Sequence, residues 1–173
     1  MTTDVLPTVT ETDVFTALRA FILTLVGCEV IRGQVNQAAM PVGDFIVLTA
    51  LGSEPLETNT DQYTATTKTI LRPTQWRMQV DCYGAVAGDR AQTIASLLRD
   101  NVACDSFAAS GFDITPLYAG DAKQMPLITG EEQFLERWTF EAVLQTNPVV
   151  TVAVDTANTL SISITNVPAQ YPA

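Results

Sequence analysis

Two stretches of the chain alternate apolar and polar positions with a period of two. From Trp76 to Cys82, the residues Trp76, Met78, Val80 and Cys82 fall on one side and Arg77, Gln79 and Asp81 on the other. From Phe134 to Leu144, the row Phe134, Glu136, Trp138, Phe140, Ala142 and Leu144 opposes Leu135, Arg137, Thr139, Glu141 and Val143. Successive side chains of a strand point to opposite faces, so each stretch predicts a strand with an aromatic-rich face on a core. Both tryptophans of the protein lie in these two rows.

A period near 3.6 marks two other segments. Val14, Leu18, Phe21, Ile22 and Leu25 make one apolar stripe and predict a helix over residues 11–26. Thr10 is placed to cap it, Glu11 and Asp13 sit at the positive end of its dipole, and Gly27 stops it. Ala91, Ile94, Ala95, Leu98 and Val102 make the second stripe, with Asp89 as its cap.

The remaining segments read as strands and loops. Residues 29–35 are a short strand or an extended run into a loop over 36–43, and residues 45–51 are a strand ended by Gly52. Residues 53–62 read as an exposed loop and 63–71 as a strand with one wet face. Pro73 then suggests a hairpin about residues 72–74, joining 63–71 to 75–83. Pro116 puts the short strand 112–118 at a sheet edge, and 119–130 reads as loop. Residues 149–154 and 160–164 alternate again. This order predicts an α+β fold, a mixed and mostly antiparallel sheet with two helices packed on one face. A single domain over 1–173 is expected, with a flexible N-terminal arm (1–9) and a β-rich C-terminal extension (149–173).

Composition narrows the function more than the fold. The chain has 173 residues, 47% of them hydrophobic, which suits a globular domain. No apolar run reaches the ~18 residues of a membrane span, and the N-terminus lacks the basic stretch of a secretory signal. Nine basic against nineteen acidic residues give a net charge of -10, which disfavours attraction to phosphate backbones. There is no His, so the commonest general base is missing and a Cys/His zinc site is ruled out. Cys28, Cys82 and Cys104 are odd in number and dispersed, and read as buried thiols of a reducing compartment. Neither a nucleophile elbow, a phosphate-binding loop nor a dinucleotide fingerprint occurs. The carboxylates Glu131, Glu132, Glu136 and Glu141 read as solvated or ion-paired surface. Glu136 stands apart because it shares a face with Trp138 and Phe140, which places it at a strand end or against an Arg across a subunit boundary. Arg77 and Arg137 lie opposite the Trp rows, on a face that is solvated, helix-covered or intersubunit. No catalytic residue, cofactor or metal is expected.

Three blocks stand out: Val30-Ile31-Arg32-Gly33-Gln34 through Met40-Pro41 to Asp44-Phe45-Ile46-Val47, then Gln75-Trp76-Arg77-Met78-Gln79-Val80-Asp81-Cys82-Tyr83-Gly84 with the helix after it, and Glu136-Arg137-Trp138-Thr139-Phe140-Glu141. Together they resemble the phage neck or tail-terminator proteins of contractile-tailed phages. The likeness covers roughly residues 11–147 and leaves the C-terminal tail out. It implies a terminator-like α+β subunit that assembles with itself into a ring, usually a hexamer, and has no enzymatic activity. Such a ring caps the tail tube, borders the tail sheath protein and meets the neck or head-completion protein. It is assembled in the host bacterial cytoplasm and ends in the virion, at the tail and neck. On this reading Arg77, Gln79, Arg137, Glu141 and Glu136 are interface candidates. The loops 53–62 and 119–130, the arm and the tail are further candidate contacts. Genomic DNA would pass through the ring without specific binding, with Glu54, Glu57 and Asp61 as acidic lumen candidates. The alternative reading is another head–tail connector or collar component, such as a head-completion protein.

Overall fold

A computed structural model of the chain describes residues 4–34, 40–125, 127–128 and 134–155. Helix α1 (Glu11–Leu23) starts at Thr10, where a reciprocal capping box forms. The Asp13 N–H donates to Thr10 Oγ1 at 3.4 Å, and the Thr10 N–H donates to Asp13 Oδ2 at 2.8 Å. Strands β1 (Glu29–Arg32), β2 (Phe45–Pro55), β3 (Thr60–Tyr63), β4 (Thr67–Leu71) and β5 (Thr74–Tyr83) follow. Helices α2 (Ala87–Leu97) and α3 (Asn101–Ala109) come next. The chain then forms β6 (Ile114–Ala119), β7 (Lys123–Gln124), β8 (Leu127–Ile128), β9 (Phe134–Leu135), β10 (Arg137–Thr146) and β11 (Val149–Ala153).

The main sheet has the order β1-β2-β5-β10-β6, with β7 also on β10. Strand β1 runs parallel to β2 and every other pair is antiparallel, so the sheet is mixed and mostly antiparallel. The core lies between the three helices and the face carrying Met78, Val80, Cys82, Phe140, Ala142 and Leu144. Phe21 of α1 meets Phe107 of α3 with ring centroids 5.9 Å apart. Trp76 and Trp138 pack at the rim of this core, half-buried. The two alternating rows bury the face that their period assigns from Trp76 to Cys82 and from Trp138 to Leu144, whereas Phe134 is 77% exposed and Val143, on the opposite row, is buried. Strand β6 is the edge that Pro116 predicts.

Pro73 does something else than turn the chain. β4 and β5 do not pair with each other; β4 lies in a second sheet of order β11-β4-β3. The register explains this. Arg137 pairs with Tyr83 at one end of β10–β5 and Thr146 with Thr74 at the other. Val149 with Leu71 and Ala153 with Thr67 continue the same count in β11–β4. Between them the Arg72 N–H donates to the Pro148 carbonyl at 3.2 Å. One long two-stranded ladder thus runs through both sheets. Pro73 and Pro148 cannot donate to it, and the ladder breaks into two sheets at that point.

Other expectations are corrected in the same way. Residues 53–62 are not a plain loop, because β2 continues to Pro55 past a bulge at Leu51, and β3 follows at Thr60. The second helical stripe is split at Leu98–Asp100, giving three helices rather than two. Asp100 caps α3 by accepting the Val102 N–H at 3.1 Å, which leaves Val102 48% exposed instead of in the core. Asp89 lies in the first turn of α2, whose N-cap is Val86. Residues 119–130 contain β7 and β8 rather than loop alone. The arm is fixed at its inner end: the Thr8 N–H donates to the Val149 carbonyl and the Val149 N–H to Thr8 Oγ1, both at 3.0 Å. The strand expected over 160–164 lies outside the described residues. Cys82 is buried and Cys28 half-buried, but Cys104 is exposed, so the thiols are not all interior.

Two predictions follow from this packing. Gly84 joins β5 to α2 at φ +108, and a Cβ there would lie 1.9 Å from Asp44 Oδ1. Gly84→Ala is expected to cost roughly 1–3 kcal/mol in urea unfolding. Gly27→Ala, with nothing within 4 Å of the added Cβ, should stay within about 0.5 kcal/mol of the parent. Burial, reinforced by Cys28 and Asp81, pushes the Cys82 thiol up from 9.0 to about 12. The folded thiol stays neutral where the unfolded one ionises, so its contribution to stability is constant below pH 9 and falls away between there and about pH 12. Timed alkylation read by mass spectrometry should label Cys104 first and Cys82 only on unfolding, and a Cys82→Ala chain should lose that alkaline drop.

Candidate functional site

The face of the main sheet away from the helices carries the polar row. β5 contributes Arg77, Gln79, Asp81 and Tyr83, opposite Val143, Glu141, Thr139 and Arg137 of β10. This face is not simply wet. The Asp81 side chain is only 5% exposed, and its Oδ1 accepts Arg137 Nε at 3.1 Å and Nη2 at 2.9 Å. Its Oδ2 accepts Gln79 Nε2 at 2.7 Å. A carboxylate removed from water must be satisfied this fully. Phe45 stacks on Tyr83 at 4.6 Å beside Val47, with Ile31 and Leu135 packed around them. Arg137 lies over the edge of that cluster, 5.9 Å from the Tyr83 ring.

The second polar group centres on Arg77. Its Nη2 is 3.0 Å from Glu54 Oε1, and its Nε is 4.0 Å from Glu141 Oε1. That Nε is buried and has no hydrogen-bond partner among the described residues. Glu54 reaches Arg77 because β2 runs on past its bulge, which pairs Gly52 with Arg77 and Glu54 with Gln75. A residue read as lumen-facing and one read as an interface candidate therefore form one ion pair. Arg77, Gln79, Arg137 and Glu141 share this face, as their alternation predicts. Glu136 does not join them. It sits between β9 and β10, where its Oε1 accepts the Trp138 indole N–H at 3.0 Å.

The two remaining acidic candidates, Glu57 and Asp61, differ in their partners. Asp61 on β3 bonds Lys68 of β4 at 2.7 Å, and this hydrogen bond raises the Lys68 pKa. Glu57 is exposed between β2 and β3 and makes no ion pair among the described residues. Asp81, the hub of the face, is the residue that pattern reading passed over. Its signal is an acid in a strand interior, two positions from Gln79, with Arg137 on the next strand.

The cations of this chain are largely committed to its own backbone and acids. Arg19 Nε donates to the Val30 carbonyl at 2.8 Å, joining α1 to β1. Arg90 holds Asp44 at 2.8 Å, joining α2 to the start of β2. Arg99 Nε donates to the Ala119 carbonyl at 2.7 Å, and Arg32 pairs with Glu11 while lying 4.2 Å over the Phe15 ring. Little positive charge is left to meet an external anion. Among the described residues no group of three or more His, Cys, Asp or Glu is placed to hold a metal, and no helix is long and apolar enough to cross a membrane. The arrangement offers a sculpted polar surface rather than reacting groups. Asp81→Asn, which leaves Arg137 beside a neutral amide, is expected to cost about 3 kcal/mol. In a double-mutant cycle with Arg137→Gln, measured by urea unfolding, the two losses should be strongly non-additive.

No match is found among the curated proteins. Among solved structures the chain is similar to one titled "Cryo-EM Structure of an Extracellular Contractile Injection System, PVC sheath/tube terminator in extended state". That likeness has a TM-score of 0.49 and 8% sequence identity, covering 96% of this chain and 66% of that one. The family model described as phage neck terminator protein matches residues 12–169, from the first turn of α1 to beyond β11. The chain belongs to the phage neck terminator protein family.

Proposed function

We propose that this protein is a structural component of a tailed phage that assembles with itself into a ring, a hexamer, at the neck of the virion. The ring ends the growth of the tail tube, borders the sheath and joins the tail to the head-completion proteins. The observation that carries this reading is the family match, which spans nearly the whole fold rather than one motif. The polar sheet face supports it. A closed ring needs a surface that fits a neighbour, and no reacting group. Arg77, Glu54 and Glu141 are the part of that face a neighbour can reach, with side chains 43%, 65% and 34% exposed. Gln79 and Arg137 shape the surface through Asp81.

The net charge of -10 fits a passage for DNA. Sticking to phosphate requires available cations, and most of them are already paired within the chain. Of the three acidic lumen candidates, Glu54 and Asp61 each carry a cation of their own. Glu57 is then the one whose charge is left uncompensated, and the lumen role rests chiefly on it.

Mass photometry and negative-stain imaging of the purified chain test the ring. Polymerising the tail tube protein with and without it tests termination. Rings, and shorter tubes with capped ends, are the expected result. A chain that stays monomeric and leaves tube length unchanged would overturn the reading. Arg77→Glu, which sets like charges beside Glu54 and Glu141, should shift the ring toward monomer while leaving the circular dichroism spectrum of the subunit intact.

A further inference from the structure

Several strand edges of this fold are closed by a local device. Strand β1 gives its Val30 carbonyl to Arg19 Nε at 2.8 Å, and β6 carries Pro116. Thr8 bonds both backbone groups of Val149 at the outer edge of β11. Strand β3 has no such device. Its four residues, Thr60–Tyr63, are all exposed and contain neither a proline nor a bulge. Its one charge, Asp61, is turned to Lys68 at 2.7 Å.

The register of the β3–β4 hairpin says which backbone groups are open. The Thr64 N–H donates to the Thr67 carbonyl at 2.8 Å, and the pairing runs on from Tyr63 with Lys68 to Thr60 with Leu71. Successive residues of an antiparallel strand turn their N–H and C=O alternately to one side and the other. Thr60, Gln62 and Thr64 therefore bond toward β4, and the backbone groups of Asp61 and Tyr63 point out of the sheet. Those four groups have no hydrogen-bond partner among the described residues.

A second segment also lacks backbone partners. Residues 4–7 of the arm make no backbone hydrogen bond among the described residues, and Val5 and Leu6 are 59% and 68% exposed. Thr8 anchors this arm at the β11 edge, whereas β3 is the opposite edge of the same sheet, of order β11-β4-β3. Strands lie about 4.8 Å apart, so a place beside β3 is about 19 Å from Thr8, four spacings away. Leu6 can reach at most about 7 Å from Thr8, and Val5 about 11 Å. The arm cannot cover β3 of its own chain. The arm of another copy can.

We infer that residues 4–7 of one subunit add a strand to the open edge of β3 in the next. Main-chain bonds to Asp61 and Tyr63 hold it, and Val5 and Leu6 lie beside the Tyr63 ring, which is 66% exposed. Pro7 cannot donate, so Asp4, Val5 and Leu6 supply the N–H groups. The arm and the β3 edge are unlike surfaces on opposite sides of one small sheet. Such a contact passes from copy to copy in one sense and ends where the rotation closes. This inference rests on the ring reading and adds a contact that builds the ring.

The test uses the full chain with Leu6→p-benzoylphenylalanine, mixing equal parts of ¹⁴N- and ¹⁵N-labelled protein before irradiation. The expected products are mixed-isotope crosslinks from position 6 to residues 60–63. Tyr63→Pro removes an outward N–H and no bond to β4, so it should lower their yield about tenfold with the circular dichroism spectrum unchanged. Tyr63→Phe, which keeps the ring and the N–H, should leave the yield as it is. Hydrogen exchange needs no variant: the Asp61 and Tyr63 amides should exchange about tenfold or more slower in the ring than in the monomer. Rings without these crosslinks, or without slowed exchange at both amides, overturn the inference and leave the ring reading standing. Crosslinks confined to single chains, or a yield that Tyr63→Pro leaves unchanged, overturn it as well. A monomer with no intermolecular product overturns both.

Discussion

The pairing of β5 with β10 is the constraint on which the rest of this structure depends. Ten residues of each strand are matched without a bulge, from Arg137 with Tyr83 to Thr146 with Thr74. That register decides which side chains share a face. Met78, Val80, Phe140, Ala142 and Leu144 go under the helices, and Arg77, Gln79, Asp81, Arg137 and Glu141 go to the other side. A slip of one residue would exchange the two sets and put Asp81 and Arg137 into the core. Every other strand of the main sheet is placed relative to this pair. The second sheet extends both strands at one end through β4 and β11, and the ribbon extends β10 alone at the other through β9, paired with β8.

The electrostatics follow from that geometry rather than from the net charge. Asp81 tolerates burial because register puts Gln79 on its own strand and Arg137 on the next within reach of both oxygens. The bulge in β2 is what carries Glu54 to Arg77. Arg19, Arg90 and Arg99 each tie a helix to the chain beside it, two of them by donating to a backbone carbonyl. An acidic protein with few cations has used them as joints.

How much of this could be read from the chain depends on the kind of signal. The two Trp rows were legible because period-two alternation reports a face directly, and Phe45–Leu51 and the α1 stripe were legible for similar reasons. Pro73 was misread because a proline says only that a ladder bond is missing. Whether the chain turns back or goes on depends on Pro148, some seventy-five residues away in the partner strand, at the matching point of the register. The split between α2 and α3 was carried by Asp100, a cap in the middle of an apparently continuous stripe. The site was half legible. Arg77, Gln79, Arg137 and Glu141 fell on one face as their spacing said. Asp81 was passed over, since reach between strands is a tertiary fact.

The positions of the bends bear on how such a subunit can be joined to others. A flat sheet with two free edges invites pairing along those edges, which is hard to limit to a fixed number of copies. Here the edge strand β6 contains Pro116, and Leu117 is bulged out of its pairing with β10, so that edge is blunted. Thr8 occupies part of the outer edge of β11. The outer edges of β1 and β3 carry no further strand among the described residues. An exposed apolar ribbon lies at one end of the central strands and a mainly apolar cleft at the other. The β5–β10 ladder sets the distance between those two features, because ten pairs matched without a bulge leave no residue about which the strands can kink.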